Sequence, residues 1–161
     1  MDTAITASLW IGAIGCGLLG GVFFAFSSFI MRALAAIAPA AGIAAMNAIN
    51  RVILRSWFMP LFWITTLAGL ILAGIAMAQW GAPGAAAMLL GGAVHFVGMF
   101  VCTVACNVPL NNALAAVDSA GDAAPPVWQR YLRDWTRWNH VRSLACALAS
   151  ACFVLALLQR A

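Results

Sequence analysis

The sequence predicts an all-α integral membrane protein, a bundle of four transmembrane helices with interfacial amphipathic helices in its first and third connections. Three observations lead to this fold class. Of 161 residues, 65% are hydrophobic and only 7% are charged, whereas a soluble domain carries roughly 25% charged residues. Four apolar stretches are long enough to cross a bilayer, which takes about 20 residues of helix. The basic residues, all arginine, gather mainly in two of the connections.

The four predicted transmembrane helices cover residues 4–31, 57–80, 85–108 and 140–159, within one membrane domain of residues 1–161. We expect the first helix to be retained, because it begins with Asp2 and no basic residue and is longer than the apolar part of a signal peptide. Helices two and three are joined by the short turn "GAPG". Such a short link makes them antiparallel neighbours.

Two connections contain amphipathic segments, at about residues 40–55 and 127–139. In the first, apolar and polar side chains repeat on separate helical faces, and Ile43 and Met46 lie on the apolar one. In the second, aromatic side chains form a ridge, and the arginines of the other face are expected to be solvated. The members of this ridge are Trp128, Tyr131, Trp135 and Trp138.

Seven of the eight arginines lie in or beside the first and third connections. The positive-inside bias therefore places these connections in the cytoplasm and both termini outside, in a cell membrane and most simply a bacterial inner membrane. The net charge of +4 follows from this topology, so we expect the lipid bilayer and no nucleic acid as partner. A stripe of small residues, Ala13, Gly17, Gly21 and Ala25, favours close packing inside the bundle, with a homo-oligomer as the alternative.

The start of the fourth helix carries unusual polar residues. Leu144 to Leu158 gives an apolar length of only about 22 Å, short of the roughly 30 Å to be crossed, so the helix must begin near Asn139. His140 and Arg142 then enter its first turn, where ionisable groups usually face protein or a wet cavity. The alternative is that Arg142 extends its guanidinium to the lipid headgroups.

The third helix is predicted to end at "CNVPLNN", because Pro109 disfavours helical geometry for the residue before it. Antiparallel packing brings this end to the same membrane face as the start of helix four. We therefore expect polar side chains from both helices to converge, next to the Trp ridge, in a pocket for a flat, apolar, partly anionic molecule. An alternative is that the asparagines satisfy freed backbone carbonyls. The converging residues are Asn107, Asn111, Asn139, His140 and Arg142, with Asn50 and Arg51 from the first amphipathic segment.

No metal or cofactor is predicted. His95, Met99, Cys102 and Cys106 share a helical face that superficially suggests a soft-metal site. Most of these residue types are common in apolar helices, so we expect His95 to form a hydrogen bond within the bundle instead. The chain has no Rossmann, Walker or c-type haem motif, and its five cysteines lie in apolar segments where no disulfide is expected.

At "INR", "CNVPLNN" and "YLRDWTRWNHVRS" the sequence resembles the anthrone oxygenase-like family of small four-helix membrane proteins. The match covers nearly the whole chain. Fungal members oxidise an anthrone methylene to an anthraquinone with molecular oxygen and no cofactor. The motif positions shared with the family are Asn50, Arg51, Asn107, Pro109, Asn111, Trp135, Trp138, Asn139, His140 and Arg142, whereas His95 and Cys106 look like departures.

The resemblance implies a cofactor-independent oxygenase for a polycyclic phenolic or quinol-like substrate. His140 would remove a proton from the activated CH₂. Arg142, with the amides of Asn107, Asn111 and Asn139, would stabilise the resulting oxyanion. Trp135 and Trp138 would stack on the rings, next to Asn50 and Arg51. The alternative is a non-catalytic membrane protein that binds a quinone, a lipid or a partner membrane protein at the same pocket.

Overall fold

The structure, a computed structural model, describes residues 3–119 and 121–161. Within these ranges the ordered elements are helices: α1 (Thr3–Ala35), α2 (Pro39–Ile53), α3 (Phe58–Ala78), α4 (Ala85–Ala115) and α5 (Ala124–Arg160). All but α2 are long and apolar enough to cross a membrane. The predicted class, a helical membrane protein with four spanning helices, is confirmed.

Helix α5 differs from the prediction. The expected interfacial helix at 127–139 and the transmembrane helix at 140–159 form one continuous helix of 37 residues. Pro125 and Pro126 lie in its first turn, where proline is tolerated, and no glycine or proline follows before Arg160. Three members of the aromatic ridge, Trp128, Tyr131 and Trp135, are buried in the protein. They therefore belong to the core, and Trp138 alone is left at the surface.

Helix α4 also continues past its predicted end. Two π-helical segments, Phe96–Val101 and Thr103–Asn107, precede Pro109, and α-helix resumes at Val108. Pro109 thus lies in the first turn of the resumed α-helix, where its missing N–H is not needed. A third π-helical segment, Phe26–Ile30, lies in α1, and the α-helical turn after it extends the helix to Ala35, past the predicted end at residue 31. Wider turns of this kind often mark functional sites.

Helix α1 runs antiparallel to α5 and packs against it closely. Ser150 on α5 donates a hydrogen bond to the Ala13 carbonyl at 2.8 Å, and a Cβ at Gly20 would lie 3.2 Å from the Cβ of Cys146. The predicted stripe is only partly correct: Ala13 is buried, whereas Gly17 and Gly21 are exposed. Close approach depends on Gly20, which lies on a neighbouring face of the helix.

Helices α3 and α4 touch at one end and diverge at the other. A Cβ at Gly92 would overlap the carbonyl of Gly69, so the two backbones are in direct contact there. About two turns further along, the rings of Trp63 and Phe100 have centroids 5.6 Å apart. Helix α2 lies across the diverging end, with Ile43 and Met46 buried as the sequence predicts. This arrangement leaves a space between the helices.

A candidate ligand-binding cavity

A cavity of about 480 Å³ occupies this space. Side chains of all five helices line it, and its walls are mostly apolar. Seven aromatic rings contribute to them: Phe23, Phe26, Phe58, Phe62, Trp63, Phe100 and Trp135. The volume lies in the usual range for sites that bind small organic molecules, and the aromatic lining suits a flat apolar ligand.

Arg142 is the buried charge of this cavity, with 6% of its surface exposed. Its Nη2 donates a hydrogen bond to Asn139 Oδ1 at 2.6 Å, and its Nη1 lies 3.5 Å from Thr103 Oγ1. The guanidinium carbon is 4.3 Å from the centre of the Phe23 ring and 5.1 Å from that of Trp135. Within the described residues no carboxylate pairs with it, since the ion pairs of the structure join Asp134 to Arg130 and Arg133.

Asn139 holds Arg142 in place. This side chain is fully buried, and its Nδ2 donates to the Phe23 carbonyl and to Ser27 Oγ, both at 2.6 Å. The two acceptors belong to α1, at and just before its π-helical segment. Because they engage the nitrogen of the amide, the oxygen faces Arg142. Asn139 therefore acts on the cavity through Arg142 and does not line it.

The asparagines of α4 have different positions. Asn107 is buried outside the cavity wall and donates to the Trp135 carbonyl at 3.2 Å, so it ties α4 to the backbone of α5. Asn111 does line the cavity, and its Oδ1 accepts a hydrogen bond from the Tyr131 hydroxyl at 2.8 Å. Asn107 thus satisfies a backbone carbonyl of α5, not one freed by Pro109 as the sequence alternative supposed, whereas Asn111 lines the cavity.

Helix α2 supplies Asn47, Asn50 and Arg51 to the wall, and the latter two were predicted from the sequence. Several wall residues carry buried donors that have no hydrogen-bond partner in the described part of the chain. These donors are Asn50 Nδ2, Trp135 Nε1 and Arg142 Nε. One wall acceptor, Asn47 Oδ1, is also without a partner there. Donors outnumber it among the unpartnered atoms, which favours a ligand with acceptor or anionic oxygens.

His140 does not reach the cavity, so the expectation that it shares one space with the asparagines is wrong. It is exposed and lines a separate depression of about 270 Å³. The physical reason is helix geometry: His140 lies two residues from Arg142, about 200° around α5. The Trp138 ring is also absent from the cavity wall and is 38% exposed. Of the predicted ring contacts, Trp135 alone lines the cavity.

Sequence reasoning missed Phe23 and Thr103, which contact Arg142, and Phe100, which also lines the cavity. Thr103 carried a usable signal, because it is a polar residue one helical turn before Asn107 in an apolar helix. Phe23 and Phe100 carried no such signal, because in a sequence this apolar the neighbouring residues do not distinguish a buried phenylalanine from an exposed one.

His95 forms the expected contact within the bundle. It is fully buried, and its Nδ1 lies 3.2 Å from Cys16 Sγ on α1. In the described residues no group of three histidine, cysteine or acidic side chains is arranged to hold a metal ion. The five cysteines are free.

These features define a four-helix integral membrane protein with an aromatic cavity and a buried, unpaired arginine. The chain belongs to the anthrone oxygenase family, whose model, described as "Anthrone oxygenase", matches residues 50–152. The matched range contains every site residue predicted from the sequence and the whole α4–α5 half of the cavity. Comparison with curated proteins and with solved structures gives no match.

Proposed function

We propose that the protein is a cofactor-independent oxygenase that binds a flat polycyclic phenol of the anthrone type in the cavity and promotes its reaction with molecular oxygen. The observation that carries the proposal is the unpaired guanidinium of Arg142 on an otherwise aromatic wall. A buried cation without a carboxylate is costly unless an anion joins it. An anthrone becomes such an anion when its methylene loses a proton, because the charge is delocalised onto its oxygen.

The reaction converts the ring CH₂ and O₂ into a ring carbonyl and water. Its difficult species is the carbanion, or enolate, that passes an electron to oxygen. Arg142 stabilises this anion in a site where the aromatic rings exclude water and donors count for more. The hydroxyl of Thr103 and the amides of Asn50 and Asn111 surround the same space and orient the oxygens of the ligand.

None of the side chains that line the cavity is a carboxylate or an imidazole. The chain's contribution is therefore stabilisation of the anion, with the proton released to water at the open side of the cavity. His140, which the resemblance implies as the base, lies in the other depression. His140 therefore takes no part in the proposed reaction.

The test is oxygen uptake by the purified protein with an anthrone substrate. Arg142→Gln should lower kcat/KM by about a hundredfold or more, the usual cost of removing a donor to a developing oxyanion. Arg55→Gln removes an exposed arginine outside the cavity and should leave the rate unchanged. Thermal unfolding of both variants in detergent separates loss of fold from loss of function.

His140→Gln distinguishes the two possible sources of catalysis. Retention of most of the activity would support anion stabilisation as the main contribution. A loss as large as that of Arg142→Gln would instead make His140 essential and contradict the proposal. Wild-type protein that consumes no oxygen above the uncatalysed rate would also overturn it.

A non-catalytic role at the same cavity is the second candidate. It is favoured by the donor-rich wall, which suits the two carbonyl oxygens of a quinone, and by the lack of a base among the lining residues. Saturable quinone binding that requires Arg142, together with no oxygen uptake from anthrones, would establish this alternative.

A further inference from the structure

A second depression, of about 270 Å³, lies between α1 and α5. It shares no lining residue with the aromatic cavity. Helix α1 contributes Ser27, Met31, Arg32 and Ala35, and α5 contributes Leu132, Thr136 and His140. It therefore forms a second, separate surface on α5, and the proposed reaction gives it no role.

We propose that this depression binds a phosphate group, and that the group belongs to the headgroup of an anionic phospholipid. Two exposed donors and one buried hydroxyl belong to its lining residues. Arg32 offers a guanidinium that suits two phosphate oxygens at once, and His140 offers a ring N–H in either protonation state. Thr136 adds a hydroxyl whose oxygen is buried and has no hydrogen-bond partner in the described ranges. No carboxylate lines the depression, so the site repels no anion.

The position of the depression favours a lipid over free phosphate. Phe24 lies three residues before Ser27 on α1 and is 65% exposed. Leu144 lies one turn after His140 on the same face of α5 and is 71% exposed. Because α1 and α5 are antiparallel, these two apolar side chains both lie beyond the end of the depression formed by Ser27 and His140. They provide a surface for an acyl chain directly beside the donors.

The lining residues of α5 alternate with exposed arginines, Arg137 and the Asp134-paired Arg133. The sequence predicts this end to be cytoplasmic, and the cytoplasmic leaflet is the one that attracts clusters of basic residues. From Leu144 backward along α5, the order is thus an apolar side chain, the donor His140 and then the exposed Arg137 and Arg133, with Thr136 between these two arginines. A phospholipid presents acyl chain, phosphate and headgroup in the same order.

The test measures lipid retention by native mass spectrometry of the full chain in detergent. The probes are phosphatidylglycerol and phosphatidylcholine with identical acyl chains, and inorganic phosphate in a separate arm. Wild-type protein should retain phosphatidylglycerol at least fivefold better than phosphatidylcholine, on the order of what one anionic contact contributes near a membrane surface. Arg32→Gln and His140→Gln should each remove most of this preference.

Arg55→Gln is the matched control, because it also removes one exposed charge but lies outside the depression. It should keep the wild-type preference. Since Arg32 and His140 are exposed, both variants should unfold at the wild-type temperature in lipid-free detergent. If the protein retains inorganic phosphate as well as it retains phosphatidylglycerol, the ligand of the depression is free phosphate and the lipid assignment is wrong. An unchanged lipid preference in both site variants would overturn the proposal.

Discussion

Arg142 donates a hydrogen bond of 2.6 Å to Asn139, three residues before it on α5, and no carboxylate pairs with it in the described part of the chain. The rings of Phe23 and Trp135 lie against the guanidinium instead. Cation–π contacts and a neutral amide stabilise the cation without neutralising it. The side chain is thus held in one orientation while its charge remains available to an anionic ligand.

Replacing Thr103 should show whether that free charge matters. Thr103→Asp would place a carboxylate beside Arg142, because the threonine hydroxyl is already 3.5 Å from Nη1. The new ion pair should compete with an anionic ligand and weaken its binding about tenfold or more, which corresponds to about 1.4 kcal/mol. Titration of the protein with a fluorescent hydroxyanthraquinone measures this affinity. Thr103→Asn has nearly the same shape without the charge and should bind almost normally; equal losses in both variants would contradict the reasoning.

Asn139→Ala should destabilise the protein. It removes three hydrogen bonds, one to Arg142 and two to α1, and leaves buried polar groups without partners. We expect a loss of about 3 kcal/mol in the free energy of unfolding. Denaturant unfolding in mixed micelles provides the measurement. Asn112 is exposed, so Asn112→Ala is the control and should stay within about 0.5 kcal/mol of wild type. A similar small effect for both variants would show that the Asn139 network contributes little.

Gly92→Ala should destabilise the protein by forcing α3 and α4 apart at their closest contact. The new Cβ would overlap the Gly69 carbonyl and lie 2.9 Å from the Ala73 Cβ. Overpacking of this kind costs about 1–3 kcal/mol. Gly74→Ala adds the same methyl group to α3 where nothing lies within 4 Å, so it should be neutral or stabilising. Thermal unfolding of the two variants side by side provides the comparison, and equal midpoints would rule out a close contact at Gly69.

Val104→Trp tests the open side of the cavity. Val104 and Trp63 both line the cavity and are both exposed, at 54% and 48%, so they flank an opening between the diverging parts of α3 and α4. A bulky ring there should slow the association of a polycyclic ligand severalfold without changing stability. Val97→Trp adds the same ring to an exposed position of α4 outside the cavity. Stopped-flow binding with a fluorescent polycyclic ligand should show slowing in Val104→Trp alone.

The number and approximate limits of the long helices followed from hydropathy and length. Their exact ends did not. The sequence pattern placed a break near Asn139, because polar residues and tryptophans were interpreted as an interfacial segment. In the structure Trp128, Tyr131 and Trp135 pack against α1, α2 and α4, so the aromatic ridge is buried protein surface and the helix runs on unbroken. Burial by neighbouring helices, which a single segment does not reveal, decided this difference.

The candidate site was predicted in part. Arg142, Asn111, Asn50, Arg51 and Trp135 do line one cavity. His140 was grouped with them because it is close in sequence, although its direction on the helix takes it away. No sequence pattern marked Phe23 and Phe100 as cavity residues, because phenylalanine is frequent throughout the apolar helices.

Membrane insertion depends on the summed hydropathy of about 20 consecutive residues, a local property that the amino-acid sequence alone determines. The family motifs are likewise short stretches of the chain. The cavity is different, because the Asn139 amide meets the Phe23 carbonyl across 116 positions of sequence. Helices that are apolar on nearly every face can pack in many rotations of similar hydrophobic energy. Close glycine contacts, π-helical turns and buried amide hydrogen bonds select one of them, so the tertiary structure decides which polar side chains share a space.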